Sequence, residues 1–140
     1  MLRDCVVLAV EGTHASGKTT PTHALAAHYR ERGMHAATVE EPARNSPLIE
    51  EIVPLIEEIV VHGKGDFDLE CEVDLLAAQL SAQLRAARQH AMIICDKTIV
   101  NVLAYAWLVL QAPPGSRGAA TLAAMESLCR AWASSYDAVF

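Results

Sequence analysis

The apolar residues of the chain fall into two alternating patterns. Short apolar runs predict buried β-strands, and they occupy residues 5–10, 34–40, 91–95 and 136–140. Longer segments with apolar residues at helical spacing predict helices, and they occupy residues 17–32, 68–89, 98–111 and 119–134. The alternation of strand and helix predicts an α/β fold with a parallel sheet and helices on both faces. Because residues 98–111 are apolar on most sides, we expect that helix to pack in the interior.

Residues 47–60 contain a repeat, since the heptapeptide PLIEEIV occurs twice in succession. Each copy places its apolar residues at helical spacing, with two glutamates on the other face. Pro54 does not suit a helix interior, so we expect a kink or two short helices here. Two copies are too few for a solenoid. A polar loop with two glycines is predicted at residues 61–66.

The connection between the first strand and the first helix carries the clearest chemical signal. Its sequence GTHASGKTT fits the phosphate-binding pattern Gly-x-x-x-x-Gly-Lys-Ser/Thr. Glycines let the backbone pass close to a ligand, and the N–H groups of such a loop form a concave anion site at a helix N-terminus. Lys18 is expected to reach the β- and γ-phosphates, and the Thr19 hydroxyl to bind Mg²⁺. The predicted nucleotide contacts are Gly12, Thr13, His14, Ala15, Ser16, Gly17, Lys18, Thr19 and Thr20.

A second signal is Asp96, which directly follows the apolar run of the third strand. An apolar strand that ends in an acid has the form of a Walker B strand, whose carboxylate holds Mg²⁺. The alternative is that Asp96 caps the helix that follows. Both roles can hold together, so Asp96 is a candidate catalytic and metal-binding residue.

Composition narrows the class of protein. The 140 residues suit one domain, residues 1–140, and include 11 basic and 17 acidic side chains, for a net charge of −6. This balance argues against a nucleic-acid surface, and no apolar run is long enough to cross a membrane. The four cysteines show no zinc-site spacing, so we expect buried free thiols in a cytoplasmic protein.

Three blocks of the sequence resemble the nucleoside and nucleotide kinase branch of P-loop proteins. The first, Glu11-Gly12-x4-Gly17-Lys18-Thr19-Thr20, is similar to the opening of thymidylate kinases. The other two are Glu41-Pro42-Ala43-Arg44 and the stretch from Ile94-Cys95-Asp96-Lys97 to Asn101, Ala104 and Tyr105. Thymidylate kinases usually have Asp-Gly where this chain has His14 and Ala15, and Arg where it has Lys97. In these respects the chain is more similar to small AAA-labelled ATP/GTP-binding proteins related to nucleoside kinases.

The resemblance implies a three-layer α/β/α P-loop NTPase fold and a phosphotransferase that moves the γ-phosphoryl group of ATP·Mg²⁺ to a nucleoside or nucleoside monophosphate. Glu41 is then the candidate base, and Arg44 and Lys97 are candidate phosphate contacts. Kinases of this branch also have a lid, a base-binding loop and a fifth strand, which we expect beyond Phe140. The alternative is a regulatory module that binds or hydrolyses ATP or GTP without a small acceptor. A homodimer also stays open, since helices 47–60 and 98–111 could bury apolar surface against a partner.

Overall fold

A computed structural model of the protein describes residues 4–12, 19–40, 69–110 and 112–140, and only the backbone of Thr19, Thr20 and Val109. Strands and helices alternate along the described part of the chain, except that two helices precede the last strand. The strands are β1 (Val6–Val10), β2 (Ala36–Val39), β3 (Met92–Asp96) and β4 (Ala138–Val139). The helices are α1 (Thr19–Glu31), α2 (Leu69–Ala87), α3 (Ile99–Val109) and α4 (Arg117–Ala133). The predicted repeat helix at 47–60 and the loop at 61–66 lie outside the described residues.

The four strands form one parallel sheet in the order β2-β3-β1-β4. This confirms the parallel α/β sheet predicted from the sequence. β3 lies centrally and is buried over its whole length, which accounts for its unbroken apolar run. β4 is the shortest strand and lies at an edge, where it pairs with β1 through two residues. The predicted strand 136–140 is therefore correct in place and too long.

One face of the sheet is covered by α1. Ala26 of this helix packs with Leu8, Met92 and Ile94 in a buried cluster that Leu25 and Tyr29 border. Helix α1 begins after the carboxyl end of β1 and returns toward the start of β2, so it runs antiparallel to the strands. Gly33 follows the end of α1 in a left-handed conformation, with φ of +81°. A glycine adopts this conformation without strain.

The opposite face is covered by α2, with α3 and α4 packed beyond it. Alternate strand residues such as Val7, Ile93 and Cys95 point to this side, where alanines from the end of α2 reach them. Leu76 of α2 then joins a second cluster with residues from α3 and α4, namely Ile99, Ala106, Leu122, Met125 and Cys129. The protein therefore has the three layers predicted from the sequence.

Helix α3 corrects one expectation, because only part of its surface is interior. Ile99 and Ala106 are buried between neighbouring helices, whereas Val100, Trp107 and Leu108 are 43%, 57% and 79% exposed. Helices α2 and α4 contact the inner side of α3. The uniformly apolar sequence of this helix lacks the polar stripe that would have marked its outer side.

The four cysteines are all free and buried, as predicted. Two of them, Cys5 and Cys95, lie in the cluster between the sheet and α2, where burial raises the pKa of the Cys95 thiol to about 12. A thiol in such surroundings behaves as a small apolar side chain. None of the helices in the described ranges combines the length and the hydropathy that crossing a bilayer would require.

Candidate nucleotide-binding site

The ends of β1 and β3 lie side by side, and this brings the two chemical signals of the sequence together. Val10 is the register partner of Asp96, and the Lys97 amide donates to the Val10 carbonyl at 3.0 Å. Gly12 follows β1 after one residue, and α1 begins at Thr19. Because both strands are parallel, Gly12 and Asp96 lie at the same carboxyl edge of the sheet. Ligands of open α/β sheets bind at this edge.

Asp96 ends β3 and is 2% exposed. Met92 and Ile94 pack on the side of the sheet that α1 covers, and strand alternation puts Asp96 on that side as well. The helix on this side begins at Thr19, the other predicted metal ligand. Mg²⁺ is commonly bound through one or two carboxylates together with substrate phosphates, and a single buried carboxylate at the edge where Gly12 begins the phosphate-loop sequence fits that donor set. Among the described residues, no group of three or more His, Cys, Asp or Glu could hold a metal.

Lys97 has an unusual backbone conformation and a buried side chain. Its φ is +77°, a left-handed value that non-glycine residues adopt infrequently. Its ammonium lies 5.6 Å from the centre of the Tyr105 ring, a cation–π contact. Its carbonyl accepts a hydrogen bond of 2.7 Å from the buried Gln79 amide of α2. The predicted phosphate contact of Lys97 stays a prediction.

Glu11 connects β1 to the start of α3. One carboxylate oxygen accepts from the Thr98 amide at 2.8 Å and from the Thr98 hydroxyl, and the other accepts from the Asn101 side-chain amide at 3.0 Å. We call Glu11, Thr98 and Asn101 the Glu11 clasp. Thr98 is the N-cap of α3, and its own side chain makes no capping hydrogen bond. The alternative that Asp96 caps this helix is therefore wrong, because the N-cap lies two residues further on, at Thr98.

The remaining predicted site residues are placed as follows. Thr19 and Thr20 form the start of α1, and their side chains are not described. The other predicted contacts lie outside the described residues: Thr13, His14, Ala15, Ser16, Gly17, Lys18, Glu41 and Arg44. Their roles stay predictions.

The clasp and Gln79 contribute to this edge without having been predicted from the sequence. Glu11 lies 87 residues from Thr98 and 90 from Asn101, so no local spacing relates them. Gln79 lies within the helix predicted at residues 68–89, and no role was predicted for its side chain. A useful signal was available in each case: an acid directly before the phosphate loop, and a glutamine on the apolar stripe of α2.

A buried acid, Glu72, extends the polar character of this end of the molecule. It is 3% exposed, and burial raises its pKa to about 7. Helix α2 runs antiparallel to β3, so its first turn lies beyond the carboxyl edge of the sheet. Glu72 precedes Gln79 by two turns on the same face, which puts it about 10 Å farther along the helix axis. Among the described residues, its Oε2 atom has no hydrogen-bond partner.

Comparison with known proteins agrees with this geometry. No family model matches the sequence. A probable thymidylate kinase of Pyrococcus horikoshii is 30% identical, with 71% of this chain and 51% of the relative covered. A probable thymidylate kinase of Pyrococcus abyssi is 29% identical over the same shares. The chain thus spans about half the length of the curated relatives it matches.

A solved structure supports the same fold. The NadR protein in complex with NAD and AMP-PNP superposes with a TM-score of 0.63 at 21% identity, over 99% of this chain and 34% of that protein. The parallel sheet, with strand, phosphate-loop sequence and helix in succession, defines a P-loop α/β protein. Together with the similarity to the probable thymidylate kinases, this points to a P-loop nucleotide kinase-like fold.

Proposed function

We propose that the protein binds ATP·Mg²⁺ and transfers the γ-phosphoryl group to a small acceptor, a nucleoside or a nucleoside monophosphate. The observation that carries this proposal is the pairing of Val10 with Asp96. It brings the start of a complete phosphate-loop sequence and a buried carboxylate to one edge of the sheet. The probable thymidylate kinases that resemble this chain support a phosphotransferase. The NadR protein was crystallised with AMP-PNP, so an adenine nucleotide is the first ligand to test.

The proposed roles follow from charge and position. Lys18 would neutralise the β- and γ-phosphates, with backbone N–H groups of the loop around them. Thr19 and Asp96 would hold Mg²⁺, which supplies positive charge to the phosphate oxygens. Phosphoryl transfer asks little covalent chemistry of the protein, so positioning and charge stabilisation provide most of the catalysis.

The acceptor side of the proposal depends on residues that follow β2. Glu41 would accept the proton of the acceptor hydroxyl or orient that hydroxyl, and Arg44 would contact a phosphate. Both follow the end of β2 at Val39, and the carboxyl end of a parallel strand is where such groups can meet a nucleotide. Lys97 is a further candidate contact, although a lysine offers a point charge and not the paired donors of arginine.

The test uses ATP labelled at the γ-phosphate with a panel of nucleosides and nucleoside monophosphates that includes thymidine and thymidylate. Labelled acceptor is the expected product. Label released only as free phosphate would favour the alternative, a nucleotide-hydrolysing regulatory module. Absence of both products, together with no ATP binding in calorimetry, would refute the proposal.

Lys18→Ala is the variant that addresses the nucleotide site directly. A hydrogen bond to a charged group contributes about 1.5–3 kcal/mol, so we expect ATP affinity to fall about 10- to 100-fold. Arg130→Ala is the matched control, because it also removes one positive charge, from an exposed ion pair with Glu126 on α4. Equal affinities of the two variants for ATP would contradict the role of Lys18.

A further inference from the structure

The Glu11 clasp uses both oxygens of one carboxylate at the junction of two strands and a helix. Thr98 contributes its amide and its hydroxyl to one oxygen, and Asn101 contributes its side-chain amide to the other. The Glu11 amide in turn donates to the Phe140 carbonyl at 2.7 Å. Glu11 is therefore fixed at its backbone by the chain after β4 and at its side chain by the start of α3.

The charge of Glu11 matches what it contacts. The first N–H groups of a helix lack intrahelical partners, and the helix dipole adds positive potential there. Helix α3 obtains no capping bond from Thr98 itself, since the Thr98 hydroxyl donates to Glu11. The Glu11 carboxylate, from the residue that follows β1, thus takes the place of a local cap for α3.

The turn between β3 and α3 is held from two further directions. The Lys97 amide donates to Val10 on one side, and the Lys97 carbonyl accepts from Gln79 on the other. These bonds surround a residue with φ of +77°, a conformation of the kind that persists where its surroundings enforce it. The turn that follows Asp96 is therefore bonded to the residues that precede Gly12.

We propose that Glu11 is a positioning residue that couples the phosphate loop to Asp96. Glu11 lies next to Gly12 in the chain and accepts hydrogen bonds from Thr98, two residues after Asp96. The start of the loop and the metal-binding carboxylate therefore keep a fixed separation. This inference rests on the proposed function, because the separation matters for a nucleotide whose phosphates and Mg²⁺ are bound together. If Glu11 has this role, its contribution to ATP affinity depends on the presence of Mg²⁺.

A purely structural carboxylate in the same sheet provides the matched control. Asp137, just before β4, accepts a hydrogen bond of 2.8 Å from the Val7 amide through Oδ2, and its own amide donates to the Val7 carbonyl at 2.8 Å. It therefore stabilises the pairing of β1 with β4 near the amino end of β1. Asp137→Asn should reduce stability without a Mg²⁺-dependent effect on ATP.

The first experiment compares Glu11→Gln and Asp137→Asn by calorimetric ATP titration with Mg²⁺ and with EDTA. Displacing groups that orient a metal ligand typically costs 10- to 100-fold in metal affinity. We expect Glu11→Gln to weaken ATP binding about 10-fold with Mg²⁺ and less than about 2-fold with EDTA. In Asp137→Asn, the ratio of ATP affinity with Mg²⁺ to ATP affinity with EDTA should equal that of the unchanged protein. Equal losses of affinity with and without Mg²⁺ for Glu11→Gln, or no loss, would overturn the proposal.

A rescue variant separates the clasp from a general loss of stability. In Glu11→Gln one acceptor oxygen becomes an amide donor, and it meets the donor of Asn101 unless the Asn101 side chain turns over. Adding Asn101→Asp restores a donor–acceptor pair and returns a carboxylate to the start of α3. The double variant E11Q/N101D should therefore recover most of the Mg²⁺-dependent affinity. A double variant weaker than E11Q alone would count against the clasp.

Amide hydrogen exchange tests the coupling independently of any nucleotide. Glu11→Gln should accelerate exchange both at Thr98 and at Gly12, whereas acceleration confined to Thr98 would overturn the coupling. If the unchanged protein binds no ATP, the proposed function fails, and the exchange result still decides whether Glu11 connects the loop to the turn after Asp96.

Discussion

The two ends of the parallel sheet differ in how they satisfy their polar groups. At the carboxyl end, Asp96, Lys97 and Thr98 are only 2–4% exposed. At the amino end, the exposed His35 stacks on His90 with 4.5 Å between ring centres. Around His35 the backbone is joined by amide-to-carbonyl bonds, with the amides of Ala91 and Met92 donating to the His35 carbonyl.

This difference indicates where the chain accepts unfavourable burial. Moving a polar group out of water costs free energy unless hydrogen bonds replace those to water. The amino end avoids the cost by keeping its side chains in solvent. At the carboxyl end, the hydrogen bonds of the Glu11 clasp and of Gln79 offset the cost of burying polar groups. Polar groups buried in this way are the expected feature of a site that must hold charges in fixed positions.

The largest effect expected from this comparison concerns Glu72, beyond the carboxyl end. Its pKa rises from 4.5 to about 7 on burial, so the folded state binds the proton more tightly than the unfolded state. The contribution of Glu72 to stability is therefore fully present below about pH 4.5 and is lost as the pH rises through 7. A shift of this size corresponds to about 3 kcal/mol. The effect of Glu72→Gln on the free energy of unfolding should therefore be more favourable at pH 8 than at pH 4, by about 3 kcal/mol.

Denaturant unfolding at a series of pH values measures this directly. Glu70→Gln is the control, because Glu70 lies in the same first turn of α2 with a side chain that is 64% exposed and pairs with Arg117. The measurement compares the pH dependence of the two variants, and equal dependence would contradict the role of burial at Glu72. A pH-independent effect of Glu72→Gln would mean that the charged form of Glu72 is as well accommodated in the folded state as in water.

The second prediction concerns Asp96 and tests whether the carboxyl end of the sheet, and not the amino end, contributes to Mg²⁺ binding. Asp96→Asn should lower Mg²⁺ affinity in the presence of ATP by about 10- to 100-fold, the range typical for groups around a bound metal. Asp137→Asn removes a carboxylate charge near the amino end of β1 and should leave Mg²⁺ affinity unchanged. Mg²⁺ titrations followed by ATP binding provide the measurement. Similar Mg²⁺ affinities in the two variants would remove the functional distinction between the ends.

The sheet could be predicted from the sequence because its signals are local. The apolar run before Asp96 and the residues before Gly12 each predict a strand by themselves, and the parallel arrangement follows from the helices between them. These local signals do not give the order of the strands, and the pairing of β1 with β3 is seen only in the structure. The bounds of β4 were less accurate, because the pattern of residues 136–140 does not reveal that only two residues pair with β1.

The side-chain connections of the site could not be predicted, because they join distant parts of the chain. Glu11 and Asn101 stand in two of the blocks that resemble nucleotide kinases, but no spacing in the sequence relates one side chain to the other. Only the pairing of β1 with β3 brings them together. The prediction that α3 packs in the interior was inaccurate for a different reason. The apolar sequence of this helix does not distinguish buried Ala106 from exposed Trp107.

The third prediction tests whether buried polar contacts near the site act on stability alone. The Tyr136 hydroxyl accepts from the Ile99 amide at 3.0 Å and bonds to the Gln83 side chain, and burial raises its pKa to about 12. Tyr136→Phe leaves both groups without this partner, which costs about 1–3 kcal/mol. Unfolding should show that loss while the ratio of ATP affinities with and without Mg²⁺ stays constant. A changed ratio would mean that the coupling extends beyond the Glu11 clasp.

The smallest effect is expected at the amino end, where His35→Ala removes the stacked ring from His90. The His90 Nδ1 atom lies 3.0 Å from the Ala86 carbonyl, so that ring keeps a contact of its own. The His35 carbonyl, which accepts from Ala91 and Met92, belongs to the backbone and survives the substitution. Surface changes of this kind usually alter stability by less than about 0.5 kcal/mol. Unfolding and ATP titration of the variant should both match the unchanged protein, and a loss of Mg²⁺-dependent ATP affinity would show that the amino end also contributes to the site.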